Sequence, residues 1–302
     1  MYIIIPHQID YAAAVSSIPE DETAPWESTK NYAKDDKVRV GFCIYTSLAG
    51  SNAGNDPTRT FSGLGAKWKK SGTTNRGAMF DEFVHTQSIA PEGTPMEVTV
   101  PWDRATGLAL LNISGATTII IRIKNADGQE VAAKVHDLLD GVDNWYDYFA
   151  YNFSHVRDVV DMNIGGFMSG TLTIILTGSR PAVGHLVVGD MHEPGATLQG
   201  VTAELINYSR IETNDFGVTE IVERASARRY DCKLILPLAR ADSVFALFDE
   251  LRARPCVWIG DNLPTDKGGQ AFLTAFGLYR KASLRDEGPR HCIYDMEITG
   301  VI

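Results

Sequence analysis

Apolar and polar residues alternate along much of the chain, which is the pattern of β-strands with one buried face. In "GTLTIILTG", Leu172, Ile174 and Leu176 fall on one side of a predicted strand. The segment "TTIIIRIKNADGQEV" alternates in the same way, and its Asp127 and Gly128 suit a tight hairpin turn. The C-terminal "HCIYDMEITGVI" repeats the pattern. We therefore predict a mainly β protein made of antiparallel β-sandwiches in several domains.

The segment "RADSVFALFDELRARP" departs from this pattern because its apolar residues recur every three or four positions, as on one side of a helix. The apolar stripe consists of Val244, Leu247, Phe248 and Leu251. Pro255 cannot continue a helix, so we predict one short amphipathic helix over about 242–253. The segment "HDLLDGVDNWYDYFAYNF" is compatible with either a short helix or an aromatic edge strand.

Turn-rich segments divide the 302 residues into three predicted domains. Residues 1–94 form a small β module rich in aromatic residues and glycine, which ends near the turn "APEGTP". Residues 95–194 form a middle β-sandwich, and residues 195–302 form a C-terminal β-sandwich that carries the helix. This division agrees with the usual size of single domains, about 100–150 residues.

The composition is that of a globular protein, with 44% hydrophobic and 22% charged residues. No apolar run approaches the roughly 20 residues that a membrane-spanning helix needs. The opening "MYIIIPHQIDYAAAV" has no basic leading region, so we predict a first strand at Met1–Ile5 and folding in a cytosol without membrane insertion. The net charge of −10 disfavours nucleic acid as a partner, since phosphate binding needs a basic surface.

Motifs for catalysis or cofactor binding are missing from the sequence. Neither of the glycine-rich phosphate-binding patterns occurs, and no GxSxG nucleophile motif is present. The four cysteines never form CxxC, and we expect them to be buried as small apolar residues. We therefore predict a protein that is not an enzyme and that needs no cofactor or metal.

Two other interpretations of polar residues remain open. Asp190, His192 and Glu193 could ligate a metal, but their spacing favours an interdomain turn with polar side chains. A pair of carboxylates could hydrolyse glycans, because such acids are often far apart in the sequence. The carboxylates considered for this role, Asp143, Asp147 and Asp158, are close to the aromatic residues Trp145, Tyr146 and Tyr148.

The first predicted domain has regularly spaced aromatic residues. In order along the chain these are Trp26, Tyr32, Tyr45 and Trp68, with Val38 and Pro57 between them. The spacing resembles the small chitin-binding-type carbohydrate-binding module, which runs from a Trp through a Tyr and a "GD-x-V" turn to a Tyr, a Pro and a final Trp. Here Asp35 stands where that family has the turn glycine, and the following insert is longer.

This resemblance implies that aromatic rings of the module stack on sugars. The candidate carbohydrate-binding residues are Trp26, Tyr32, Tyr45 and Trp68, together with Trp145 and Tyr146 from the later aromatic segment. An aromatic ring has an apolar body and a polar rim, so the same residues could instead hold a module of few strands together. Both roles are compatible with the sequence.

A second resemblance covers most of the chain. The stretch "TNRGAMFD", together with the preceding aromatic residues, resembles the N-terminal region of tail proteins from tailed bacteriophages. The matching residues are Tyr45, Asn55, Pro57, Trp68, Asn75, Met79, Phe80 and Asp81. "AVGHLVVGDMHEPG" and the C-terminal "RARPCVWIGD…YDMEITGV" are similar to later parts of the same group.

The resemblance to tail proteins implies a structural component of the tail tip or baseplate. Such a subunit would be made in the bacterial host cytoplasm, would reside in the virion, and would assemble in several copies with other tail proteins to support host attachment. One alternative is an adhesin of the virion that binds a host surface glycan. A further alternative is a glycan-degrading tail enzyme.

Overall fold

The computed structural model is mainly β, with 54% of the residues in strands and 7% in helical segments. It describes residues 1–11, 13–140, 154–162, 164, 169–213, 216–217, 219–260, 271–286, 288 and 290–301. Its sheets are antiparallel and its single short helix is near the C-terminus, so the predicted fold class is confirmed.

The strands in chain order are β1 (Tyr2–Pro6), β2 (Val15–Ser16), β3 (Asn31–Tyr32), β4 (Lys37–Val40), β5 (Cys43–Ser47), β6 (Asn52–Ala53), β7 (Trp68–Thr73), β8 (Ser88–Ile89), β9 (Met96–Trp102), β10 (Gly107–Leu111), β11 (Ser114–Asn125), β12 (Glu130–Asp137), β13 (Leu139–Asp140), β14 (Ser154–His155), β15 (Val159–Met162), β16 (Gly170–Val183), β17 (His185–His192), β18 (Ala196–Thr197), β19 (Thr202–Asn207), β20 (Arg210–Thr213), β21 (Thr219–Val222), β22 (Ser226–Pro237), β23 (Cys256–Ile259), β24 (Thr274–Asp286) and β25 (His291–Gly300). The α-helix, α1, spans Ala241–Glu250. Short 3-10 helices span Ala78–Phe80, Leu238–Arg240 and Ala271–Leu273.

A ten-stranded sheet runs through the described residues in the order β15-β10-β17-β1-β23-β24-β25-β22-β18, with β19 also paired to β22. The first strand, β1, lies inside this sheet between β17 and β23. The sheet therefore joins strands from all three predicted ranges, 1–94, 95–194 and 195–302, by hydrogen bonds. The division into three domains stays a prediction.

A six-stranded sheet, in the order β12-β11-β16-β9-β2 with β8 beside β16, packs against β10, β15 and β17 of the larger sheet. Leu172, Ile174 and Leu176, which the alternating pattern places on one face, are at most 1% exposed. They share this sandwich core with Leu108 and Leu186 of the larger sheet. The predicted inward and outward alternation of β16 is thus confirmed.

Helix α1 covers the other end of the ten-stranded sheet. Val244 and Phe248 are each 3% exposed and share a core with Trp258 and Tyr294. Phe245, on the opposite side of the helix, is 60% exposed. This one-sided burial is what the apolar stripe predicts.

The helix ends slightly earlier than the sequence indicates. The regular α-helix finishes at Glu250, whereas the prediction extended over about 242–253. Ala253 adopts a left-handed backbone conformation, with φ of 59°, which is incompatible with a continuing right-handed helix. A turn therefore replaces the last helical residues before Pro255.

The face of the ten-stranded sheet opposite α1 is also apolar. The cluster on it consists of Ile4, Ala109, Leu111, Val160, Val187, Val257, Ile259 and Phe276, each at most 6% exposed. Within β1, Ile3 packs toward α1 and Ile4 packs into this second cluster, because successive side chains of a strand point to opposite faces. The centre of the large sheet is therefore buried on both sides.

Candidate functional site

The aromatic residues of the first module form its core. Tyr32, Tyr45 and Trp68 are 3%, 5% and 0% exposed. The rings of Tyr32 and Trp68 meet nearly edge to face, with centroids 5.3 Å apart, and Trp68 Nε1 donates a hydrogen bond to the Asn55 carbonyl at 2.9 Å. Rings buried to this extent offer no open face on which a sugar could stack, so their placement favours the packing role.

The other candidate carbohydrate-binding residues differ in position. Trp26 is half-buried and packs against the edge of the module core. Its indole Nε1 is buried without a hydrogen-bond partner among the described residues. Trp145 and Tyr146 lie outside the described residues. Sugar binding stays a prediction, and it depends on these three residues rather than on the buried cluster.

Asp35 occupies a turn position whose backbone conformation suits glycine. Its φ is 70°, the left-handed conformation that glycine adopts easily and that aspartate adopts more readily than most residues. The Asp35 N–H donates to the Ser47 carbonyl at 2.9 Å, and the Asp36 carboxylate accepts from the Ala33 N–H at 2.8 Å. These contacts hold the turn with Asp35 in its left-handed conformation.

The stretch "TNRGAMFD" lies where the first module meets the six-stranded sheet. The Asn75 Nδ2 donates to the Ile89 carbonyl at 2.9 Å, and the Ile89 N–H donates to the Asn75 Oδ1 at 2.9 Å. Met79 is 1% exposed within the sandwich core, and its N–H donates to Ser88 Oγ at 2.8 Å. Asn75 and Met79, two of the residues on which the resemblance to tail proteins rests, therefore connect the first module to the six-stranded sheet.

A cavity of about 800 Å³ lies where β10, β22 and β24 approach one another. Asp158 on its wall is buried, forms an ion pair with Arg228, and accepts a hydrogen bond from the Asn112 N–H at 2.9 Å. The positive charge of Arg228 compensates the negative charge of the Asp158 carboxylate, and both contacts fix its orientation. Asp143 and Asp147, the other candidate carboxylates for glycan hydrolysis, lie outside the described residues.

A second buried carboxylate joins the two sheets of the sandwich. Asp161 accepts hydrogen bonds from His136 Nε2 at 2.9 Å and from Lys134 Nζ at 3.1 Å. Burial alone would raise the pKa of Asp161, but the hydrogen bonds and charges of His136 and Lys134 outweigh burial and hold the pKa below its usual value. The group is an ionised cross-link between β15 and β12.

His185 is a buried histidine on the second apolar face of the large sheet. Its ring centroid is 4.3 Å from that of Phe276, and the residue is 6% exposed. Its Nδ1 has no hydrogen-bond partner among the described residues. Burial lowers the pKa of His185 to about 4, so the ring is neutral at physiological pH.

The residues considered as metal ligands are not gathered into a cluster. Asp190 pairs with His7, with Nε2 and Oδ2 at 3.1 Å. Within the part of the chain that the structure describes, no group of three or more His, Cys, Asp or Glu residues is arranged to hold a metal ion. Cys232, Cys256 and Cys292 are buried, and burial raises the pKa of both Cys232 and Cys256 to about 12.

An exposed apolar surface lies on the segment 202–224. This segment, here called the apolar arm, comprises β19 and the hairpin β20–β21. Its exposed apolar side chains are Leu205 (71%), Tyr208 (47%), Ile211 (64%), Phe216 (92%), Ile221 (68%) and Val222 (40%). So many large apolar side chains on one segment usually mark an interaction site.

A second open surface is the outer face of the six-stranded sheet. Val135, Ile120 and Ile175 are cross-strand neighbours on β12, β11 and β16 and form an apolar row. Val135 is 66% exposed, and the two isoleucines are half-buried. Thr99 and Val15 lie beside one another on the same face, and Val15 is 67% exposed.

The sequence did not single out either surface. The segment "RIETNDFGVTEIV" alternates apolar and polar residues around a turn, as a buried hairpin would. Alternation identifies which residues share a face but contains no information on whether another layer covers that face. The one feature of the sequence that could have indicated an exposed apolar surface is the presence of large apolar residues in a hairpin that is otherwise rich in Glu and Thr.

No protein-family model matches this chain, and no curated protein matches it significantly. Among the described residues, no helix combines the length and apolar character required to cross a membrane.

Proposed function

We propose that this protein is a structural subunit of a bacteriophage tail tip or baseplate, which assembles in several copies with other tail proteins and supports host attachment. The observation that carries the proposal is the apolar arm attached to a large sheet whose centre is buried on both faces. Large apolar side chains in contact with water are unfavourable in a free chain, but they are suitable for a subunit whose neighbours cover them.

The burial of the module aromatics supports this role over glycan recognition. Tyr32, Tyr45 and Trp68 stabilise the module, and Asn75 and Met79 fasten it to the sandwich. A rigid module joined to a rigid sandwich is a suitable part of a particle, and this role requires no turnover chemistry. The resemblance of "TNRGAMFD" to tail proteins points to the same role.

The test is to locate the protein in assembled particles. An epitope inserted beside Leu64, which is fully exposed in the loop after β6, should leave the fold intact. Gold-labelled antibody should then bind at the distal end of the tail in electron micrographs. Label on the capsid, or particles that lack the chain, would contradict the proposal.

The adhesin alternative has its own test. Titration with host surface glycans should give no saturable binding if the module is purely structural. Saturable binding that disappears in Trp26→Ala, with the thermal melting unchanged, would favour glycan recognition by the half-buried Trp26.

A further inference from the structure

We propose that the hairpin β20–β21 of one copy docks on the outer face of the six-stranded sheet of a second copy of this chain. The inference rests on the proposed structural role, because it names the partner of the apolar arm. Its test uses the purified protein, so it can succeed or fail independently of the location in a particle.

The hairpin lacks a supporting layer within the described residues. Strands β20 and β21 form a two-stranded sheet with each other. A two-stranded hairpin is marginally stable in water unless a third strand or an apolar surface supports it. The hairpin therefore requires a partner that presents a flat apolar surface.

The two faces of the hairpin differ in a way that fixes the docking side. Ile211 pairs with Ile221, and Thr213 pairs with Thr219, so these four side chains share one uncharged face. The opposite face of the hairpin carries Arg210, Glu212, Glu220 and Val222. Placing the uncharged face on a partner buries two isoleucines while the carboxylates stay in water.

The outer face of the six-stranded sheet presents an apolar row to this uncharged face, bordered by charged side chains such as Glu97 beside Ile175 and Arg122 two residues from Ile120. Its apolar row of Val135, Ile120 and Ile175 crosses three adjacent strands, a width of about 10 Å. Each strand of the hairpin contains four residues, a length of about 13 Å. β-Branched side chains therefore face β-branched side chains over similar dimensions.

A second copy is the occupant that these surfaces favour, because one chain exposes both of them. Ile211, Ile221 and Val135 are all more than 60% exposed. The two surfaces are different, so each copy donates a hairpin to one neighbour and receives a hairpin from another. Such head-to-tail contacts close into a ring or extend into a stack.

The size of the contact predicts its strength. One hairpin face is smaller than the roughly 800 Å² per partner of a standard interface, so a single contact should be weak. Each copy in a ring makes two contacts, which stabilises the ring over the isolated pair. Self-association should therefore increase steeply with protein concentration.

The experiment compares three variants by sedimentation over a range of concentrations. The hairpin variant, Ile211→Thr with Ile221→Thr, keeps β-branching but removes apolar surface. The face variant, Val135→Lys, places a charge in the apolar row. The control, Phe245→Lys, changes a side chain on α1 that is exposed to a similar extent (60%).

We expect the unmodified protein and the control to self-associate, and each of the other variants to associate at least about tenfold more weakly. Mixing the hairpin variant with the face variant should restore one-to-one pairs, because one intact hairpin then meets one intact face. Melting curves verify that every variant is folded.

Several outcomes would overturn the proposal: an unmodified protein that stays monomeric at the highest concentration, folded variants that associate normally, or a mixture that forms no pairs. Association through another surface would contradict this docking but leave the structural role intact. If the docking were confirmed but the protein were absent from tails, the docking proposal would stand and the proposed role in the tail would be wrong.

Discussion

The side-chain amide of Asn75 forms two hydrogen bonds with the backbone of Ile89, one to its carbonyl and one from its N–H, each 2.9 Å long. The amide thereby replaces the partner that a neighbouring β-strand would provide at this position. This contact joins the end of the first module to β8, which itself pairs with β16. The Asn75 side chain is thus one of the links between the module and the sandwich.

Asn75→Asp should destabilise the protein even though the two side chains have nearly the same shape. The substitution replaces the Nδ2 donor by an oxygen that faces the Ile89 carbonyl, and the loss should be about 1–3 kcal/mol. Urea denaturation measures it. Asn207→Asp is the matched control, because among the described residues Asn207 uses only Oδ1, as acceptor for the Ser209 N–H, and aspartate keeps that oxygen. Equal losses in both variants would refute the proposed role of Asn75.

Trp68→Ala should lower the free energy of unfolding of the module by about 3–5 kcal/mol, because the side chain is completely buried. Trp26→Ala should cost less, since Trp26 is only half-buried. Thermal melting followed by tryptophan fluorescence distinguishes the two. If Trp68→Ala melted normally while glycan binding was lost, the packing role would be wrong.

Phe248→Ala should be among the most destabilising changes on α1. The ring is 3% exposed and lies 5.3 Å from Tyr294 and 6.4 Å from Trp258, measured between ring centroids. Truncation leaves a cavity and should cost about 3–5 kcal/mol. Phe245→Ala on the exposed side of the same helix should change stability by no more than about 0.5 kcal/mol. Denaturant titration of both variants gives the comparison, and a similar effect at the two positions would contradict the observed orientation of the helix.

His185 should make the protein less stable as the pH falls from about 6.5 toward 4. In the folded protein the pKa is about 4, against 6.5 for an unburied histidine, so between these values the unfolded chain binds a proton that the folded chain does not. The stability contributed by the neutral ring is complete above pH 6.5 and falls by about 3 kcal/mol by pH 4. Asp161, whose pKa is lowered, adds a further loss at still lower pH as it becomes protonated.

The measurement is the free energy of unfolding against pH for the unmodified protein and for His185→Leu. The variant lacks the titrating ring, so its stability should depend less on pH between 6.5 and 4. His291→Leu, at an exposed position on β25, should retain the pH dependence of the unmodified protein. A variant at position 185 with an unchanged slope would exclude His185 as the cause.

Local patterns predicted the strands and the helix well, because they depend on neighbouring residues. The alternation in "HCIYDMEITGVI" placed Cys292, Tyr294, Met296 and Ile298 on one face, and all four are at most 3% exposed. The turn at Asp127 and Gly128 connects β11 to β12, and Gly128 has φ of 78°. Such features arise from side-chain periodicity and backbone sterics, which depend on residues that are close together in the sequence and can therefore be predicted from it.

Long-range pairing was beyond these patterns. Nothing in "YIIIP" specifies that β1 lies between β17 and β23, since many apolar strands could occupy that position. The partners of the buried Asp158 and Asp161 come from strands that are distant in the sequence for the same reason. The exposure of Ile211 and Ile221 could not be predicted either, because the apolar periodicity is the same whether or not another layer covers the face.

The central position of β1 affects how the chain can fold. Both of its neighbours come from residues at least 180 positions later, so the strand has no place to pair while the first half of the chain emerges from the ribosome. Contacts that close such long loops slow folding. Tyr2–Pro6 cannot form its native pairings until β17 and β23 have been synthesised, and in that interval its isoleucines are available to chaperones or to aggregation.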